Sequence, residues 1–97
     1  MTGILDEQQV VFEATSRDNS IVVLVGEGGA CLGVRLAEAA MRLTDADLAN
    51  RIMLLSTWGR LRAQLALRDA LTARHAEVSG ALATAQQVSQ FETLIDF

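Results

Sequence analysis

The sequence predicts a single α+β domain spanning residues 1–97, with a short N-terminal helix, a three-stranded antiparallel β-meander, one long α-helix and a short C-terminal helix or tail. Three observations lead to this prediction. Residues 10–36 contain apolar and alternating runs separated by turn residues, which is the pattern of strands. From Thr44 onward the apolar spacing becomes that of a helix. A length of 97 residues suits one hydrophobic core.

The first half of the chain reads as strands and tight turns. Residues 5–10 give a weak helical signal, and residues 10–15 then alternate as a strand does. Ser, Arg, Asp, Asn and Ser at 16–20 form a turn. Residues 21–25 are β-branched or leucine and apolar on both faces, so we expect both faces to be covered. Glycines at 26, 28 and 29 suit a hairpin, and residues 30–36 resume the alternation.

The same glycines also have the outline of a dinucleotide-binding loop, in which a strand is followed by glycines and an apolar segment. The spacing does not fit, because the sixth position of the motif counted from Gly26 is Cys31. No second strand–helix–strand half follows. We therefore predict a hairpin and no cofactor.

A long helix is predicted from Thr44 to about Ser79. Thr44 is a suitable N-cap, Asp45 and Asp47 lie in the first turn where they interact with the helix dipole, and Gly80 provides the stop. Residues 81–97 end in apolar residues that suit a short amphipathic helix or a tail.

Two apolar stripes run along this predicted helix, displaced from each other around its axis. They exceed what one small sheet covers, so we expect the chain's own sheet and a second protomer to cover them, giving a homodimer. Gly59 inside a helix suggests a close packing contact, and we expect its neighbour Trp58 to be largely buried. The candidate partner and dimer-interface residues are Leu54, Trp58, Leu61, Leu65, Leu67 and Leu71.

The titratable residues do not suggest catalysis or a metal site. The chain has one cysteine and one histidine, which excludes an intramolecular disulfide and a multi-histidine metal site. We expect Cys31 to be a small buried or half-buried apolar residue and His75 a solvated helix residue. The protein is accordingly predicted not to be an enzyme and to need no metal.

Neither a secretory signal nor a membrane span is apparent, because the longest purely apolar run is 21–25. We expect a soluble, cytoplasmic protein. The net charge of −4 disfavours nucleic acid, although arginines on the long helix would contact phosphates if the acids lay on its other side. The DNA-contact candidates of this alternative are Arg51, Arg60, Arg62, Arg68 and Arg74.

The order of elements over residues 10–75 resembles the YbaB/EbfC family of small bacterial dimers. The resemblance is carried by Ser20–Val25, by the glycine hairpin, by the third strand through Leu36, and by the run Leu-Thr-Asp-Ala-Asp-Leu-Ala-Asn-Arg-Ile at 43–52. The chain is also similar to actinobacterial relatives associated with type VII secretion.

The resemblance implies one of two functions. The general family implies a nucleoid-associated dimer that binds DNA with little sequence preference, and the secretion-associated branch implies an accessory or chaperone-like partner protein. The negative net charge and the short N-terminal helix depart from the DNA-binding pattern. We therefore expect protein–protein interaction, with DNA binding as the alternative.

Overall fold

A computed structural model describes residues 10–74 and 82–97. Its elements are strands β1 (Val11–Thr15), β2 (Ile21–Gly26) and β3 (Cys31–Leu36), a 3-10 helix (Glu38–Arg42), the long helix α1 (Asp45–Ala73) and a short helix α2 (Ala85–Glu92). The predicted α+β class, the meander and the long helix are confirmed. The N-terminal helix predicted at 5–10 lies outside the described residues. Helix α1 ends at Ala73 with Arg74 as its C-cap, so the predicted end near Ser79 is too late.

The three strands form one antiparallel sheet in the order β1-β2-β3. Ala14 of β1 lies opposite Val23 of β2, and Val23 lies opposite Val34 of β3. Residues directly opposite one another share a face, so these three lie on the same side of the sheet. We call it the inner face, because Ala14 and Val23 are fully buried there.

The turn between β1 and β2 is held by side chains, as its composition predicts. The Oδ1 atom of Asp18 accepts hydrogen bonds from the hydroxyls of Ser16 and Ser20, each at 2.7 Å, and from the Ser20 N–H at 2.9 Å. These bonds favour the ionised carboxylate and lower the pKa of Asp18 from 3.8 to about 2. Asn19 takes the left-handed conformation with φ 62°, which asparagine tolerates.

The glycine loop is the predicted hairpin. The Gly26 N–H donates to the Ala30 carbonyl at 2.9 Å, and the Gly29 N–H donates to the Gly26 carbonyl at 2.9 Å. Gly29 has a φ of 89°, which residues with a side chain rarely adopt. The loop therefore turns the chain straight into β3.

Helix α1 begins as its sequence predicts. The Thr44 side chain accepts a hydrogen bond from the Asp47 N–H at 3.1 Å, and Asp45 and Asp47 lie in the first turn. Leu55, Gly59 and Ala63 are buried where the helix packs on the inner face.

Gly59 permits the close approach of α1 to the sheet. A Cβ atom at this position would lie 2.6 Å from Cγ2 of Val25. The predicted packing reason for this glycine is confirmed.

Only the inner face of β2 is fully covered. Ile21, Val23 and Val25 on that face are completely buried, whereas Val22 and Leu24 on the outer face are half-buried. The expectation that both faces would be covered is therefore wrong for the outer face, because α1 packs on one side of the sheet only. An exposed ion pair between Arg35 and Glu13, at 3.1 Å, spans the outer face.

The C-terminal residues form the predicted short helix. Thr84 begins α2 with a capping box: its side chain accepts from the Gln87 N–H at 3.2 Å, and the Gln87 side chain accepts from the Thr84 N–H at 2.8 Å. Beyond the helix, Ile95 is buried and belongs to the same core as the sheet residues.

Candidate protein-binding surface

The first apolar stripe of α1 is largely covered within one chain. Leu54, Trp58, Leu61 and Leu65, all predicted interface candidates, are half-buried. Leu54 and Trp58 pack against the buried core, to which Phe91 and Phe97 of the C-terminal segment also belong. The C-terminal segment, defined as residues 82–97, thus contributes to the covering that a second protomer was expected to supply.

Arginine side chains bind the C-terminal segment to the rest of the chain through hydrogen bonds and a ring contact. Arg17 donates to the Ile95 carbonyl at 2.7 Å, and Arg68 donates to the carbonyls of Leu82 and Ala83 at 2.7 and 3.0 Å. The guanidinium of Arg51 lies 4.9 Å from the centre of the Phe97 ring. These contacts join the segment to both α1 and the first turn of the sheet.

Trp58 packs against the core but is not fully buried. Arg62 lies over its ring, with the guanidinium carbon 5.0 Å from the ring centre, a cation–π contact. The indole Nε1 is buried and has no hydrogen-bond partner among the described residues. Trp58 is thus half-buried: one side of the ring packs against the core, and the Arg62 guanidinium lies over the ring.

The second stripe of α1 stays open. Leu67 is 44% exposed, Leu71 is half-buried, and Met53 at the upper end of the stripe is 69% exposed. Leu67 also lines a cleft of about 190 Å³ with a mainly apolar wall. The cleft residues are Val10, Phe12, Glu27, Ala63, Ala66, Leu67 and Ala70.

The inner face of β3 is also exposed, although its side chains point to the same side as the buried residues of β2. Val34 and Leu36 on this face are 39% and 40% exposed. Leu32, 50% exposed, is an extra residue where the pairing of β2 with β3 is irregular, and its side chain lies against Gly26 on the outer face. The cause is geometric: α1 packs mainly across β1 and β2. A helix about 10 Å wide covers two strands spaced about 4.8 Å apart and leaves a third strand uncovered.

Met53 lies on the side of α1 that is turned toward β3. It is seven residues, or about two turns, before Arg60, so the two side chains share one side of the helix. The Arg60 stem lies against Gly29 in the hairpin that leads into β3, since a Cβ at Gly29 would be 3.0 Å from its Cγ. We call Val34, Leu36 and Met53 together the open apolar surface.

The five arginines proposed for DNA do not share one free face. Arg51, Arg62 and Arg68 are half-buried and bound to their own chain, Arg62 through a 2.9 Å hydrogen bond to the Glu13 carbonyl. Arg60 and Arg74 are exposed. The structure therefore does not bring the five guanidinium groups together as a basic patch.

The described residues offer little for catalysis or metal binding. Within residues 10–74 and 82–97, no group of three or more His, Cys, Asp and Glu residues is arranged to hold a metal ion. Cys31 is exposed, so the expectation that it would be buried or half-buried is wrong. It begins β3, the strand that α1 leaves uncovered. His75 lies outside the described residues.

Comparisons with protein-family models, with curated proteins and with solved structures found no match. The resemblance to the YbaB/EbfC family accordingly stays a prediction from the sequence. None of the helices in the described part of the chain is both long enough and apolar enough to span a bilayer. Within the described residues, the α+β fold exposes two apolar regions: the open apolar surface, and the second stripe of α1 with its adjoining cleft.

Proposed function

We propose that this protein is a non-enzymatic binding module that works as a homodimer, and that the open apolar surface forms the contact between the two copies. The observation that carries the proposal is the exposure of Val34 and Leu36 on the inner face of β3. Apolar side chains that alternate along a strand ordinarily point into a core. Here the core of a single chain ends at β2, so a second copy is needed to complete it.

The size of the domain supports the same conclusion. A chain of 97 residues buries a modest share of its surface, and association is a common way for such a domain to gain stability. The contact would be isologous, since each copy presents the same residues to the other.

Beyond the dimer, we propose that the module serves a protein partner as an accessory or chaperone-like protein in the cytoplasm. The resemblance to the secretion-associated branch supports this role. So does the second stripe of α1, where Leu67 and the adjoining apolar cleft lie on a part of the helix that the C-terminal segment leaves exposed. DNA binding stays the alternative, with less support because Arg51, Arg62 and Arg68 make contacts within their own chain.

Two matched variants test the dimer contact. Val34→Glu places a charge on the open apolar surface, and Val11→Glu places the same charge on the outer face of the other edge strand, at nearly the same exposure of 42% against 39%. Burying an unpaired carboxylate in a contact is strongly unfavourable. We expect light scattering coupled to gel filtration to show a monomer for Val34→Glu and a dimer for Val11→Glu.

Circular dichroism of both variants checks that the fold is kept. If Val34→Glu folds and stays dimeric, the contact lies elsewhere and the proposed surface is wrong. If both variants become monomeric, the contact does not depend on the inner face of β3, and the proposal also fails.

A further inference from the structure

We propose that the apolar cleft beside Leu67 receives one bulky apolar side chain of a partner protein, from a segment that carries a lysine or an arginine next to it. This inference rests on the partner-binding role proposed above and names the chemistry of the segment that the module would bind. The cleft shares no residue with the open apolar surface, so the dimer contact and the partner site can be tested separately.

The cleft lies at the end of the sheet where β1 begins and β2 turns into the glycine hairpin. Phe12 and Glu27 belong to its sheet wall, and Leu67 belongs to its helix wall. The other residues that α1 contributes to the wall are alanines. They leave the cleft open because an alanine has no side-chain atom beyond Cβ.

The size of the cleft suits a single ring or branched side chain. Its volume is about 190 Å³, and an engineered protein cavity of about 150 Å³ binds benzene. The wall is mainly apolar, and Leu67 is 44% exposed to water. An apolar occupant would remove this surface from water, which is favourable. A phenylalanine or leucine side chain therefore has the size and the polarity that the cleft requires.

The charge on the wall selects what lies beside that side chain. Glu27 is exposed, and its carboxylate makes no ion pair or hydrogen bond with any of the described residues. This includes Arg60, whose stem lies against Gly29 of the same hairpin. An unpaired carboxylate at the rim of a contact favours a cation on the partner and disfavours a phosphate or a carboxylate. The occupant that satisfies both the wall and its charge is an apolar side chain with a lysine or an arginine beside it.

A second copy of the chain is a poorer occupant of this side of α1. Arg60 and Arg74 lie seven residues before and after Leu67, so all three side chains share one side of the helix. Both arginines are exposed and have no ion pair within the described part of the chain. Two α1 helices packed antiparallel about Leu67 would bring Arg60 near Arg74 of the partner subunit. Such like-charge contacts are unfavourable, so the cleft suits a partner of different sequence.

Nuclear magnetic resonance titration of the full chain with blocked dipeptides tests the apolar side chain and the charge separately. The probes are acetyl-Phe-Lys-amide, acetyl-Phe-Glu-amide and acetyl-Ala-Lys-amide. We expect the first to cause saturable shifts at the amides of Glu27, Leu67 and Ala70. The second should bind about two- to fivefold more weakly, the range of one exposed ion pair, and the third should cause no saturable shift. Glu27→Gln should remove the difference between the two phenylalanine peptides.

A matched pair of variants locates the site. Ala70→Leu fills the cleft from its helix wall and should abolish binding of the Phe-Lys peptide. Ala49→Leu is the same substitution at another exposed position of α1, about 30 Å away along the helix, and should bind as the unaltered protein does. Circular dichroism of both variants checks that the fold is kept.

Several results would overturn the proposal. These are the absence of a saturable shift with the Phe-Lys peptide, equal binding of the Phe-Lys and Phe-Glu peptides, and unchanged binding by a folded Ala70→Leu protein. Leu67 shifts that follow protein concentration alone would mean that a second copy fills the cleft. Nuclear Overhauser contacts between Leu67 and residues 1–9 would mean that the chain fills its own cleft, and shifts of the same amides with duplex DNA alone would favour nucleic acid. Each of these would also overturn the proposal, and none of them alters the outcome of the Val34→Glu test of the dimer.

Discussion

Adding a single methyl group at Gly59 should reveal how closely α1 is seated on the sheet. In Gly59→Ala, the new Cβ would lie 2.6 Å from Cγ2 of Val25, 3.3 Å from its Cβ and 3.4 Å from the Cβ of Ala14. Carbon atoms in favourable contact are about 3.5–4.0 Å apart. Helix and strand must therefore separate by about 1 Å at this point, because both Val25 and Ala14 are completely buried and cannot turn aside.

The magnitude follows from two opposing effects. Overpacking of a core by a methyl group typically costs about 1–3 kcal/mol. Replacing glycine by alanine inside a helix gains about 1 kcal/mol. We expect the overpacking to dominate, since the closest contact involves the core of the sheet, and the free energy of unfolding to fall by about 1–2 kcal/mol.

Urea denaturation followed by circular dichroism measures the change, with Gly28→Ala as the matched control. A Cβ at Gly28 would have no atom within 4 Å, so this variant should stay within about 0.5 kcal/mol of the unaltered protein. The double variant Gly59→Ala/Val25→Ala should be less destabilised than the sum of the two single variants, because removal of the valine methyl groups makes room for the new one. A Gly59→Ala protein as stable as the unaltered chain, or more stable, would refute the close packing of α1 on β2.

Three further predictions address the turn, the C-terminal helix and the DNA alternative. Asp18→Asn should lower stability at pH 7, and its difference from the unaltered protein in urea titrations should vanish as the pH falls from about 4 to about 2. The reason is that the pKa of Asp18 is lowered to about 2 in the folded chain, so its contribution is present above its unfolded pKa and is lost through the folded one; a difference that stays constant with pH would contradict this. Thr84→Ala removes the capping box of α2 and should lower the free energy of unfolding by about 1 kcal/mol, measured by thermal melting. The control Thr72→Ala changes an exposed threonine inside α1 and should not lower it. Equal effects of the two variants would contradict the capping role. Random duplex DNA at physiological salt should bind more weakly than about 10⁻⁶ M in an electrophoretic shift, and tighter binding would favour the nucleoid-associated alternative.

Local signals in the sequence were enough to predict the elements. The Thr44 cap, the glycine hairpin and the alternation in the strands each depend on neighbouring residues, which is why α1 begins at Asp45 and β3 at Cys31, each within a residue or two of the prediction. Gly59 also predicted a packing contact, because glycine lowers the stability of a helix and is favoured there only where another residue packs closely against it. The Val25 side chain is that residue.

The covering of those elements could not be predicted in the same way. Periodicity shows that Leu54 and Leu61 belong to an apolar stripe, but it does not distinguish a second protomer from the chain's own C-terminal segment. The alternation in β3 likewise indicates an inward face without showing how far a helix extends over it. The width of α1 relative to three strands decides that Val34 is left exposed and that Cys31, at the start of the same strand, is exposed as well.

Sedimentation equilibrium of the unaltered protein at several micromolar concentrations tests the central claim, that one chain leaves its core incomplete at β3 and a second copy completes it. We expect the fitted mass to approach twice the 10.4 kDa of one chain as the concentration rises. A mass that stays at 10.4 kDa throughout this range would contradict the homodimer and leave the exposed face of β3 without the partner proposed for it.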